Sequence, residues 1–80
     1  MAKTEELQTL YGMLAKFQAE KNDALEDKVK LLTIAKEDPA EENNRNYKKA
    51  MAAVEQRLQD IELTIKLIEK KIKTLLYSRD

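Results

Sequence analysis

The chain of 80 residues contains no cysteine and no histidine, and it has a single glycine and a single proline. Without cysteine, no disulfide can stabilise the fold, and without cysteine and histidine a structural zinc site loses its usual ligands. Small domains often depend on disulfides, metals or oligomerisation. We therefore expect no cofactor, and oligomerisation or a stable partner as the remaining aid to folding.

The sequence is equally poor in groups that carry catalysis. Enzymes need a positioned acid, base or nucleophile, and Ser78 is the only serine of the chain. No glycine-rich phosphate loop appears. The carboxylates stand four residues before lysines, as in Glu62 with Lys66 and Glu69 with Lys73, which is the spacing of exposed helix ion pairs. We expect that the protein is not an enzyme.

The charges and the hydropathy pattern exclude other classes. Fifteen acidic and fifteen basic residues cancel, so no overall field attracts nucleic acid or a membrane surface. No apolar run approaches the length of about 18 residues that spans a bilayer, and no signal-peptide pattern is present. We expect a soluble, cytoplasmic protein.

The strongest positive signal is a run of apolar residues spaced alternately four and three apart. This spacing is a heptad repeat, which is typical of helices that pack against helices. We call it the C-terminal seam: Tyr47, Met51, Val54, Leu58, Ile61, Ile65, Ile68, Ile72 and Leu75.

The segment Asp38-Pro39 marks the turn between two helices. Asp38 suits an N-cap and Pro39 suits the first helical position. The sequence therefore predicts one domain over residues 1–80, with a helix over 4–37 capped by Thr4, a turn at 37–39 and a helix over 39–78. The polar segment 20–23 leaves the first helix either continuous, with or without a bend, or broken into two, and the absence of glycine and proline there favours one helix.

The fold class is therefore an all-α antiparallel helical hairpin, with the C-terminal seam facing a main stripe on the first helix. A fold about residue 38 sets Val29 beside Tyr47 and Leu14 beside Ile61 or Glu62. Gln18 and Asn22 interrupt this stripe with polar groups. The predicted core residues of the first helix are Leu7, Tyr11, Leu14, Leu25, Val29 and Leu32.

A second apolar stripe lies beside the first, and it favours a four-helix bundle made by two hairpins. Gly12 is either a tolerated surface glycine or a point where a neighbouring helix approaches closely. The residues predicted to contact a partner or a second copy are Leu10, Met13, Phe17, Ala24, Leu31, Ile34, Leu63 and Leu67.

Three functions remain open. The favoured one is an interaction module that self-associates as a homodimer or higher oligomer, or packs on another helical protein. The alternative is a small chaperone, inhibitor or adaptor that captures a helix of a different protein. The least favoured is binding of nucleic acid or a small anion through Lys66, Lys70, Lys71 and Lys73. In architecture alone, without shared motifs, the plan is similar to small plasmid-regulatory hairpin dimers and small secretion-system or phage accessory proteins.

Overall fold

The structure, a computed structural model, describes residues 2–77 as two long helices joined by a short turn. Helix α1 spans Ala2–Glu37, a 3-10 helix spans Pro39–Asn43, and helix α2 spans Arg45–Leu76. The two helices pack side by side in a rod measuring 59 × 15 × 14 Å. The predicted all-α antiparallel hairpin is confirmed, and no strand occurs within the described residues.

Helix α1 is one continuous α-helix of 36 residues. The polar segment at 20–23 does not break it, because Asn22 and Asp23 are exposed and keep their side chains in water. The predicted cap at Thr4 is wrong, since the helix has already begun at Ala2.

The turn is longer than the sequence indicated. Asp38 caps the 3-10 helix, and its Oδ1 accepts a hydrogen bond from the Ala40 backbone N–H at 3.2 Å. Asn44 then adopts an extended conformation and accepts from the Asn46 N–H at 2.8 Å. This second cap starts α2 at Arg45 and not at Pro39, so the predicted bounds of 37–39 for the turn and 39 for the helix are wrong. The predicted end at residue 78 lies outside the described residues.

The longer turn displaces the register of the hairpin. Two ion pairs cross between the helices: Lys21 Nζ lies 3.7 Å from Glu62 Oε1, and Arg57 Nη1 lies 3.7 Å from Asp27 Oδ2. Lys21 therefore occupies the level at which the sequence placed Leu14, seven residues earlier. The register differs from the prediction by one heptad, which keeps the C-terminal seam facing α1 but changes its neighbours.

The C-terminal seam forms the α2 side of the core. Its five central members, Leu58, Ile61, Ile65, Ile68 and Ile72, are buried. Its outer members, Tyr47, Met51, Val54 and Leu75, are half-buried. The tightest cluster joins three of the central residues to Ala24 of α1, which has no exposed surface. The small alanine side chain lets the two helices approach closely at this level.

On α1 the predicted core is right only in part: Leu7 and Leu14 are half-buried, and Leu14 packs on the core cluster. Tyr11, Leu25, Val29 and Leu32, all predicted core residues, are 40–59% exposed. Most of the buried and half-buried positions of α1 again alternate three and four apart; Lys3 and Glu20 are half-buried as well. The alternating positions are named here the inner seam: Leu7, Leu10, Leu14, Phe17, Lys21, Ala24, Lys28, Leu31 and Ala35.

Four residues assigned to outside contacts therefore lie within the hairpin: Leu10, Phe17, Ala24 and Leu31. The physical reason is polar desolvation. The predicted stripe would have buried the amides of Gln18 and Asn22 against apolar side chains, and a buried amide without a hydrogen-bond partner is costly. The inner seam leaves both amides exposed. Its own polar members lie at the edge, where Lys21 reaches Glu62.

Candidate interaction surface

A second heptad seam runs along α1 beside the inner seam, and every member of it is exposed. Its residues also alternate four and three apart. No member is charged, although 38% of the residues in the chain are charged. We call it the outer seam: Thr4, Gln8, Tyr11, Ala15, Gln18, Asn22, Leu25, Val29 and Leu32.

The two seams of α1 are neighbours along the chain but have opposite surroundings. Ala24 of the inner seam is 0% exposed, whereas Leu25 of the outer seam is 40% exposed. The predicted main stripe took Leu7 and Leu14 from the inner seam and the rest from the outer one. Both seams alternate strictly, so the signal that separates them is the absence of charge along the seam that starts at Thr4, whereas the inner seam contains Lys21 and Lys28.

The outer seam is apolar near the turn, whereas its start and its middle are mostly polar or small. Leu25, Val29 and Leu32 form its apolar part near the turn, and Leu25 and Val29 line an open surface groove with Asn22. Tyr11 is its large apolar residue nearer the start of the chain, 49% exposed. Such a surface matches another helix, since apolar residues at heptad spacing interlock with a facing helix.

Small residues lie near the middle of the outer seam. Ala15 belongs to the outer seam, and Gly12 and Ala19 stand next to it. A Cβ atom added at Gly12 would meet no atom within 4 Å. No helix of the hairpin therefore approaches Gly12 closely, and the space above it is open.

The two ion pairs between the helices lie along the edges of the hairpin. On the side of the outer seam, Lys21 pairs with Glu62, and Lys28 shares a surface groove with Glu55 and Glu62. On the other side, Asp27 pairs with Arg57. Both ion pairs are partly exposed, so each contributes about 0–1 kcal/mol to the free energy of unfolding.

The remaining residues predicted for outside contacts are exposed but lie apart from the outer seam. Met13 and Ile34 lie on the opposite edge of α1 at 41% and 45% exposure. Leu63 and Leu67 lie on the outer face of α2 at 58% and 63% exposure. At helical spacing, Lys66 and Lys70 lie close to them, so this patch of α2 is bordered by charge.

The four C-terminal lysines do not converge on one place. At about 100° per residue, Lys66, Lys70 and Lys73 fall on the outer face of α2. Lys71 instead lines a groove with Glu5 and Glu6 of α1, whose carboxylates supply local negative charge. Lys70 and Lys71 line one further open groove together, but Glu6 lines it as well, and neither Lys66 nor Lys73 does.

Other kinds of site find little support in the described part of the chain. No group of three or more His, Cys, Asp or Glu side chains within residues 2–77 is arranged to hold a metal ion. Over the same residues, no buried polar or charged side chain appears. Neither helix, as far as it is described, contains an apolar stretch long enough to cross a bilayer.

Comparisons of the chain with protein-family models, with curated proteins and with solved structures found no match. The class of the protein is therefore set by its fold: an antiparallel helical hairpin whose first helix carries two heptad seams.

Proposed function

We propose that the chain is a non-enzymatic protein–protein interaction module that binds a helix outside its own hairpin. The observation that carries this proposal is the outer seam, a charge-free heptad seam that is exposed along its whole length. A surface helix of an isolated hairpin is expected to place charges there. A helix with two seams is typical of a bundle in which it has neighbours on two sides.

Leu25, Val29 and Leu32 supply the apolar surface that a partner would bury. Full burial of such a side chain contributes about 1.5–3 kcal/mol relative to leaving it in water. All three are at least 40% exposed in the hairpin, so much of this contribution is available to a partner. The occupant is either a second copy, giving a four-helix bundle, or a helix of a different protein, giving a chaperone, inhibitor or adaptor.

Affinity purification from the cells of origin tests this function. The baits are the wild-type chain, a variant with Leu25→Glu and Val29→Glu, and a matched control with Leu63→Glu and Leu67→Glu. We expect wild type and control to co-purify the same protein, either an untagged copy or another chain, and the outer-seam variant to lose it. Circular dichroism checks that all three baits are helical. Identical co-purification by all three baits would refute the proposed function.

A further inference from the structure

We propose that the outer seam binds a second copy of this chain, with the two α1 helices packed antiparallel at the centre of a four-helix bundle. This inference rests on the proposed function and names the partner. Three observations support it: the surface area of the chain, the self-complementary order of the outer seam, and the placement of charge.

The hairpin exposes more surface than a folded monomer of its size. Its accessible surface is 6373 Å² for a mass of 9.3 kDa, whereas the usual scaling gives about 5,000 Å² for a monomer of that mass. The excess of roughly 1,400 Å² exceeds the ~800 Å² that each partner buries in a standard interface. An elongated rod with this excess has enough surface for a stable dimer.

The spacing of the outer seam from Gln8 to Leu32 is symmetric about residue 20, with Gln8 facing Leu32 of the second copy. When two copies are set antiparallel about residue 20, Tyr11 faces Val29 of the second copy, and Ala15 faces Leu25. Each such layer pairs a larger side chain with a smaller one. A parallel arrangement would instead set Ala15 against Ala15 and leave a gap, and gaps in a core are destabilising. The antiparallel arrangement therefore fills the interface better.

The centre of the antiparallel interface is polar and paired. Gln18 of each copy faces Asn22 of the other, so the two amides can donate to and accept from each other across the two-fold axis. Such a pair fixes the register of helices, as buried polar residues do in coiled coils. Ala19 lies beside this level, and its small side chain allows close approach.

The outer seam brings no charged side chain of its own into the assembly, and the charges that border its groove, Glu26 and Lys30, have opposite signs. The outer seam is uncharged and the chain has no net charge. Lys21 lies at the edge of the interface near Lys21 of the second copy, but each ammonium already lies 3.7 Å from the Glu62 carboxylate of its own chain. On the other edge, Glu26 falls at the level of Gly12 of the second copy and meets no acidic residue.

Light scattering coupled to gel filtration measures the mass in solution from micromolar to near-millimolar concentration. We expect twice the 9.3 kDa chain mass for the wild type. The variant with Leu25→Glu and Val29→Glu should fall to a single chain mass while circular dichroism still reports helix. The control with Leu63→Glu and Leu67→Glu should keep the doubled mass. A wild-type monomer throughout, or a control that dissociates while the outer-seam variant remains dimeric, would overturn the proposal.

Disulfide trapping tests the orientation with milder changes, and the chain has no native cysteine to interfere. Chains carrying Ala15→Cys and chains carrying Leu25→Cys are mixed in a thiol redox buffer. We expect the mixed disulfide between positions 15 and 25. In the antiparallel dimer, like positions are separated by about 15 Å along the helix axis, which is beyond disulfide reach. Predominant 15–15 and 25–25 disulfides would overturn the antiparallel arrangement.

The results also separate this inference from the function beneath it. If the chain is monomeric in solution but co-purifies a different protein that Leu25→Glu and Val29→Glu abolish, the second copy is refuted and the proposed function stands. If the chain is monomeric and all three baits co-purify the same proteins, both are refuted.

Discussion

The two seams of α1 share a helix, a heptad spacing and similar numbers of large apolar residues, yet one is inside the hairpin and the other is outside. The inner seam concentrates Leu7, Leu10, Leu14 and Phe17 in consecutive layers. The outer seam interrupts its apolar residues with the amides of Gln18 and Asn22. The inner seam is also interrupted, by Lys21 and Lys28, but a long lysine side chain can carry its ammonium to the edge, as Lys21 does toward Glu62. The shorter amides of Gln18 and Asn22 cannot do so, and their face of α1 stays in water.

The largest expected effect comes from the residues that the inner seam packs against. Ile61→Ala removes a side chain that is 6% exposed and contacts the cluster around Ala24. We expect the free energy of unfolding to fall by about 2–4 kcal/mol, because a cavity remains. Urea denaturation followed by circular dichroism measures it. Leu63→Ala, at a site 58% exposed, is the control and should cost less than about 0.5 kcal/mol. Equal losses would contradict the assigned core.

The next effect compares an alanine from each seam. Ala24→Leu forces a larger side chain into a site with no exposed surface. It should lower the free energy of unfolding by about 1–3 kcal/mol. Ala15→Leu, on the outer seam, should leave it within about 0.5 kcal/mol when measured at a dilution where the chain is monomeric. If Ala15→Leu lowers the free energy of unfolding more than Ala24→Leu does, the assignment of Ala24 to the core and of Ala15 to the exposed face is wrong.

A smaller effect is expected at the turn, which sets the register of the two helices. Asn44→Ala removes the side-chain oxygen that accepts from the Asn46 N–H. Loss of an N-cap costs about 1 kcal/mol, and thermal unfolding measures the change. Asn43→Ala, at the end of the 3-10 helix, is the matched control and should change the stability less. The same loss from both substitutions would argue against Asn44 as the start of α2.

The smallest effect is expected at the edge of the inner seam. Asp27→Ala breaks the ion pair with Arg57, in which both side chains are about half exposed. We expect the free energy of unfolding to fall by no more than about 1 kcal/mol. Adding Arg57→Ala to Asp27→Ala should lower the free energy of unfolding only a little further. A double-mutant cycle measures this difference. A loss of several kcal/mol would mean that these edge charges, and not the apolar seams, hold the hairpin together.

The sequence predicts α2 better than α1 for a physical reason. The C-terminal seam stands alone on α2, so one apolar pattern has one interpretation, and its central residues Leu58 and Ile68 are buried. On α1 two seams lie side by side, and the predicted stripe passes from Leu7 of one seam to Tyr11 of the other. The sequence predicts Asp38 as a helix cap but not Asn44, because the proline after Asp38 is already a sufficient start signal.

The proposed function depends on one structural observation, the exposure of the outer seam of α1. Exposure of Tyr11, Leu25, Val29 and Leu32 cannot be read from periodicity, since each fits a core position equally well. Only the observed burial of Ala24 and Phe17 on the neighbouring face makes the outer seam available. The partner is then the helix whose side chains best fit the outer seam, and the order of residues along this seam favours a second copy.

Thiol labelling at two adjacent positions tests the central claim most directly, because Ala24 and Leu25 belong to different seams and the chain has no other cysteine. Single variants Ala24→Cys and Leu25→Cys are labelled with a soluble thiol reagent over a dilution series. We predict that position 24 reacts slowly at every concentration. Position 25 should react rapidly when dilute and become protected as the concentration rises. Equal labelling at both positions, or labelling at position 25 that ignores concentration, would contradict the account.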